Sequence, residues 1–155
     1  MRRIAILAAT IVAAGCGGTK ASESTDVLAG SHRLYESGDW AVVAKGARAV
    51  AAHRDGDRWV ADRSGRVRIR ILGPEPGTRA PRRPQVAIEM TASQQLAESA
   101  LWVDGKELLE KGGGSPTRGT IYGAPDAPLA RGRHVAVAYA RTASSATAVA
   151  WTFDV

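Results

Sequence analysis

Arg66-Val67-Arg68-Ile69-Arg70-Ile71 alternates a guanidinium with a branched apolar side chain, a period of two. Successive side chains of an extended strand point to opposite faces, so this stretch predicts Val67, Ile69 and Ile71 against a core and three arginines on the other side. Helical periodicity is nearly absent elsewhere: residues 93–100 have enough helix formers for a turn or two, and the rest alternates. The chain therefore reads as all-β. Further strands are expected over residues 40–44, 47–53, 58–61, 85–91, 100–103, 120–122, 133–141 and 147–155. Asp55-Gly56, Ser64-Gly65 and Asp104-Gly105 fall between them and suit tight turns, because glycine accepts a positive φ.

The last two strands carry the clearest pattern. Val135, Val137 and Tyr139 share one face of the first, and Val149, Trp151 and Phe153 share one face of the second, with a turn expected over residues 142–146. Ala136, Ala138, Ala148 and Ala150 take the opposite faces. Side chains that small suit exposure or the close approach of another surface.

Four stretches resemble bacterial immunoglobulin-like domains: Leu101-Trp102-Val103-Asp104-Gly105-Lys106, Pro128-Leu129-Ala130-Arg131-Gly132-Arg133-His134-Val135, Ala140-Arg141-Thr142-Ala143 and Trp151-Thr152-Phe153-Asp154-Val155. A proline-flanked opening, Ile71-Leu72-Gly73-Pro74-Glu75-Pro76-Gly77 through Pro84, is similar to the first strand and crossover of those domains. The resemblance spans roughly residues 66–155 and implies about seven antiparallel strands in two packed sheets. The fold class expected is all-β: an immunoglobulin-like antiparallel β-sandwich over 66–155, preceded by a small β-meander over 27–65. With a single cysteine in the chain, no disulfide can staple the sandwich.

That cysteine, Cys16, closes Ala13-Ala14-Gly15-Cys16 behind an apolar run that follows Arg2 and Arg3. The run is shorter than the ~20 residues a membrane-spanning helix needs. Positive charge, short apolar stretch and small residues before the break make a secretory signal. Together they resemble the bacterial lipoprotein signal, with Ala13 where leucine is usual. That resemblance implies cleavage before Cys16 and acylation of it. Residues 1–15 are thus expected to be a signal peptide and 16–26 a small, polar tether. The implied location is the cell membrane: the outer membrane of a Gram-negative cell, or the outer face of the plasma membrane of a Gram-positive one.

The formal charge of +6 includes Arg2 and Arg3, and without them 19 basic residues face 15 acidic ones. The excess is local, with eleven basic against four acidic residues between Lys45 and Arg83 and six against seven from Pro84 onward. Arg66, Arg68 and Arg70, with Arg82 and Arg83 nearby in sequence, form a candidate anion-binding patch for phospholipid head groups, anionic glycans or an acidic protein. The competing reading is the solvated face of a half-buried strand, where charge also keeps an edge from pairing with another chain. Nucleic acid is disfavoured by export and by too few aromatics for a stacking platform.

No catalytic pattern stands out. Ser31 and Ser115 follow glycine but lack the glycine-x-serine-x-glycine elbow, and Gly112-Gly113-Gly114-Ser115-Pro116-Thr117 has no phosphate-loop lysine and reads as a loop. His32, His53 and His134 are too far apart in sequence for close metal-ligand spacing, and His134 is expected on the outward face of its strand. Asp55-Gly56-Asp57 is half of a calcium loop at most and reads as a hairpin turn. Trp151 is expected in the core, whereas Trp40, Trp59 and Trp102 fit core, edge cover or a sugar-stacking surface. The expectation is a membrane-anchored, non-enzymatic lipoprotein without cofactor or metal, acting as a binding or structural module. Its partners would be the membrane and an envelope protein or anionic glycan. The alternative is an accessory or sensing subunit that recruits or regulates an envelope enzyme.

Overall fold

The computed structural model describes residues 32–155, and its first four strands are sequential neighbours: β1 (His32–Ser37), β2 (Trp40–Lys45), β3 (Arg48–Asp55) and β4 (Arg58–Ala61). Their closing pairs are Ser37↔Trp40, Lys45↔Arg48 and Asp55↔Arg58, so each hairpin turns in two residues. Glycine comes first in all three turns, and Gly38, Gly46 and Gly56 have φ of 57, 58 and 59°. A positive φ at the first turn position alone matches the twist of paired strands. The β-meander expected over 27–65 is thus present within the described residues.

Eight strands follow: β5 (Val67–Gly73), β6 (Val86–Ala92), β7 (Glu98–Val103), β8 (Lys106–Glu107), β9 (Lys111–Ser115), β10 (Arg118–Gly123), β11 (Arg133–Arg141) and β12 (Ala146–Asp154). They form two four-stranded antiparallel sheets, ordered β5-β6-β10-β9 and β12-β11-β7-β8. One core lies between these sheets and unites Val67, Val86, Ile88, Met90 and Ile121 with Leu101, Ala138, Trp151 and Phe153. A second lies on the other side of the β12-β11-β7-β8 sheet, where Trp102, Val137 and Tyr139 meet Val42 and Ala51 of the meander. The fold is therefore all-β in three layers, with β12-β11-β7-β8 in the middle.

Register explains how one sheet serves two cores. Ala136 pairs with Trp151 and Ala138 with Val149, while Val137 pairs with Ala150 and Tyr139 with Ala148. Paired residues share a face, so each face sets large side chains of one strand beside small ones of the other. The alanines expected at an exposed or closely approached surface take the second role, and Ala136 and Ala138 have no solvent exposure. The C-terminal end of the free edge of β12 is covered by the β5–β6 connection, through Gly77 N–H to Thr152 O (2.7 Å) and Ala80 N–H to Asp154 O (2.8 Å). Covered there, the edge offers no free backbone groups to another strand at that end.

Four expectations need correction. Residues 93–100 form no helical turn: their backbone donors reach distant carbonyls, Leu96 N–H to Pro116 O and Ala97 N–H to Arg141 O, and residues 98–100 open β7. Gly112, Gly113, Gly114 and Ser115, expected as part of a loop, belong to β9. Glycines carry no alternation to read, yet this strand needs them, since a Cβ on Gly112 would lie 2.2 Å from Thr120 O and one on Gly114 2.1 Å from Arg118 O. Ser64-Gly65 makes no hairpin and sits in the connection from β4 to β5. His134 points inward, as described below. Cys16, the 1–15 segment and the 16–26 tether lie outside the described residues.

Candidate functional site

At one end of the sandwich the β7–β8 hairpin and the β10–β11 connection enclose a cleft of about 370 Å³. Asp104 and Gly105 make the hairpin turn with φ of 50 and 77°, the double positive of the tightest hairpin loops. Aspartate is one of the few side-chain-bearing residues that tolerate this conformation. The turn presents Asp104 to β11. Its Oδ1 accepts the Val135 N–H (3.0 Å), and its Oδ2 lies 2.7 Å from His134 Nδ1.

His134 is 7 % exposed and stacks on Phe153, with ring centroids 5.7 Å apart. It was expected on the outward face. Its place one step before Ala136 on the sandwich side of β11, together with partners for both ring nitrogens, makes burial tolerable. Nε2 lies 2.9 Å from the carbonyl of Ala130, in the β10–β11 connection. Both nitrogens face acceptors, and a neutral imidazole has only one donor, so the doubly protonated ring satisfies the site best. The Asp104 hydrogen bond accordingly raises the His134 pKa, against the opposing effect of burial.

Val103, Leu108, Ala124, Pro125 and Leu129 line the apolar part of the cleft, with Lys106, Glu107 and Asp126 among its charged residues. Its volume falls at the lower end of the ~300–1,000 Å³ of small-molecule sites. Beside it Leu109 is 81 % exposed. Next in sequence, the Glu110 carboxyl is pushed up to about 7, first by burial, despite bonds from the Leu101 backbone and Ser99. No hydroxyl or thiol lines the cleft among the described residues, and no group of histidine, cysteine or acidic residues there has metal-binding geometry.

The five arginines of the expected patch do not converge. Arg68 and Arg70 project from the outer face of β5, and Arg66 is exposed just before it. Arg70 and Arg118 both bind Glu89 on β6, at 3.1 and 2.6 Å, and the Arg118 hydrogen bond leads the causes that hold the Glu89 carboxyl below its ordinary pKa. Arg82 and Arg83 serve the cleft instead. Arg82 Nε donates to Leu129 O (2.9 Å) and Arg83 to Asp126 O (3.0 Å), which fixes the β10–β11 connection against the β5–β6 one.

No known protein family and no curated protein matches this chain.

The cleft was missed by sequence reasoning, although both halves lie in stretches quoted above. Asp104-Gly105 reads as a turn and residues 128–135 as the approach to a strand, and only the β7–β11 pairing brings them together. A sugar-stacking cluster does not form among the described residues: Trp59, Trp102 and Trp151 are buried at 7, 1 and 4 % exposure, and of the aromatics only Tyr122 is among the exposed large hydrophobics. Trp59 is covered by the Arg54 guanidinium, 4.9 Å from its ring.

Proposed function

We propose that this chain is a lipid-anchored envelope protein whose immunoglobulin-like module binds a ligand or partner at the cleft without transforming it. The carrying observation is how the cleft's most reactive pair is used. Asp104 and His134 bond each other, and their remaining groups hold the Val135 N–H and the Ala130 carbonyl. A general base needs a free nitrogen within hydrogen-bond reach of substrate, and His134 has none to offer. Around that pair the lining is mostly apolar, with Lys106, Glu107 and Asp126 as its other charged residues, which suits recognition by shape and burial.

Strand order supports the module's assignment. In the lettering of immunoglobulin domains, β5-β6-β10-β9 is the order A-B-E-D and β12-β11-β7 is G-F-C. The Cys16 motif supports the anchor. Exposed Leu109, next in sequence to the cleft residue Leu108, favours the second reading, docking of an accessory subunit on an envelope enzyme, since burying a large apolar side chain against a protein partner is favourable.

The test uses the full chain in a bacterial host fed a tagged fatty acid. The tag should label the wild type and not Cys16→Ser, and the variant should leave the membrane fraction. An unlabelled wild type sinks the anchor. Envelope fragments and proteins captured by the wild type should be lost with Ala127→Trp, which fills the cleft, whereas turnover of a captured substrate would make the protein an enzyme.

A further inference from the structure

The outer face of the β5-β6-β10-β9 sheet can be read row by row from its register. One row holds Gly73, Ala87, Tyr122 and Lys111, with Leu72 exposed next to Gly73 in the bulge between Ile71 and Gly73. The next holds Arg70, Glu89 and Thr120, and the third Arg68, Thr91, Arg118 and Ser115. Four basic side chains thus share a face with one carboxylate, and Glu89 is already held between Arg70 and Arg118. Their guanidiniums stay in solvent, at 68 and 64 % side-chain exposure.

Charge is half of the pattern. Leu72 and Tyr122 are 44 and 37 % exposed, and with Leu109 they are the exposed large hydrophobics of the described residues. Both lie at one end of this face, on either side of Ala87. A leucine and a tyrosine beside a basic row is the composition of a surface that meets lipid head groups: cations pair with phosphate, and tyrosine sits at the interface with its ring in and its hydroxyl wet. A soluble anion would use the arginines and leave the apolar pair exposed.

We propose that this face lies on an anionic phospholipid bilayer, with Arg68, Arg70, Lys111 and Arg118 on head-group phosphates and Leu72 and Tyr122 at the interfacial level. The proposal rests on the anchoring reading only in needing a membrane close by. Bound this way, the sandwich lies on the membrane through its outer sheet, and the cleft, at an end of the strands, opens to the side.

The experiment supplies the membrane independently of acylation. The full chain is held by an N-terminal histidine tag on vesicles of phosphatidylcholine and phosphatidylglycerol in equal amounts, with a nickel-chelating lipid and a trace of phosphatidylglycerol carrying a photoreactive head group. Cross-links, mapped by mass spectrometry, should concentrate in residues 68–72 and 118–122. Each basic residue near such a surface contributes about 1 kcal/mol, so Arg68→Glu with Arg70→Glu should cut labelling of the face at least about tenfold. Leu72→Ser with Tyr122→Ser should lower it several-fold, and added salt should lower it for the wild type. Reversal of Arg48 and Arg131, which are exposed elsewhere, changes net charge equally and should leave the face labelled. Labelling spread evenly over the domain, surviving the Arg68 and Arg70 reversals or falling equally with the control pair overturns the proposal. Loss with the arginines but not with the Leu72 and Tyr122 pair also overturns it, in favour of a soluble polyanion, and heparin that displaces the label would identify that class.

Discussion

The two faces of the central sheet are made from the same strands and held by different chemistry. Toward β5-β6-β10-β9, Trp151, Phe153, Leu101 and Val103 meet Val86, Ile88 and Met90, with Trp151 Nε1 donating to Pro74 O (2.9 Å) at the margin. Toward the meander, Trp102, Val137 and Tyr139 also pack on apolar residues, but polar contacts surround them. The Tyr35 hydroxyl donates to Glu98, which also takes Arg141 Nε at 2.7 Å. Asp62 Oδ2 accepts the Ala146 N–H (2.6 Å), Oδ1 accepts the Ser64 N–H (2.8 Å), and the Ser64 and Ser145 hydroxyls meet. Apolar burial is non-directional and fuses the two sheets of the sandwich, whereas these directed bonds fix where the meander docks.

Deleting a side chain from the dry face should have the largest effect. Phe153 has no solvent exposure and stacks on His134, so Phe153→Ala opens a cavity and should cost about 3–5 kcal/mol. Urea unfolding should shift to a lower midpoint as one transition, seen alike by tryptophan fluorescence and far-ultraviolet circular dichroism. If the signals of the sandwich and meander separated in the variant, the face would not be the shared centre of folding.

The docked face should break more gently and with a signature of its own. Asp62→Ala leaves the buried Ala146 N–H without its acceptor, a loss of about 1–3 kcal/mol. Hydrogen exchange should rise in β1 to β4 well before the sandwich opens. Burial alone would raise the Asp62 pKa, but the Ser64 and Ala146 N–H groups outweigh it and hold it below the ordinary 3.8. This contribution is present above the ordinary pKa and is lost as the pH falls through the lowered one. The cleft end has the opposite sign. His134 and Glu110 are both raised, so their stabilisation is complete in acid and is lost with rising pH, between about 4.5 and 7 for Glu110 and above 6.5 for His134. Acid should therefore loosen the meander first, and a rise in pH toward and through neutrality the cleft end. Parallel exchange at both ends across pH would erase the contrast.

How much of this was legible in the sequence depends on whether a residue's partner was local. Two-residue periodicity placed Val67, Ile69 and Ile71 inward and found β4 with its bounds, because alternation belongs to a single strand. β1 and β9 escaped, since His32–Ser37 and a run of glycines have little alternation and are strands by virtue of their neighbours. The candidate sites needed register. Arg118 and Lys111 join the basic face only through the β6–β10–β9 pairing, and Arg82 and Arg83, adjacent to it in sequence, turn to the β10–β11 connection instead. His134 was assigned to the wrong face because its acceptors, Asp104 and Ala130, come from two loops that alternation does not connect.

The smallest expected effect falls where the two kinds of face meet in one residue. Tyr139 has no solvent exposure, its ring lies 5.7 Å from Tyr35, and its hydroxyl has no hydrogen-bond partner among the described residues. Burial drives its pKa upward, which keeps the phenol neutral at any ordinary pH. A buried hydroxyl without a partner has lost its water and gained nothing in return, a cost of about 1–3 kcal/mol that phenylalanine does not carry. The ring, which supplies the packing, is the same in both. Tyr139→Phe should therefore leave the urea midpoint unchanged or raise it, even though the position is among the most buried of the molecule. A loss above about 1 kcal/mol would mean that the hydroxyl is bonded in solution, and the docked face would then have one more directed contact than the geometry assigns it.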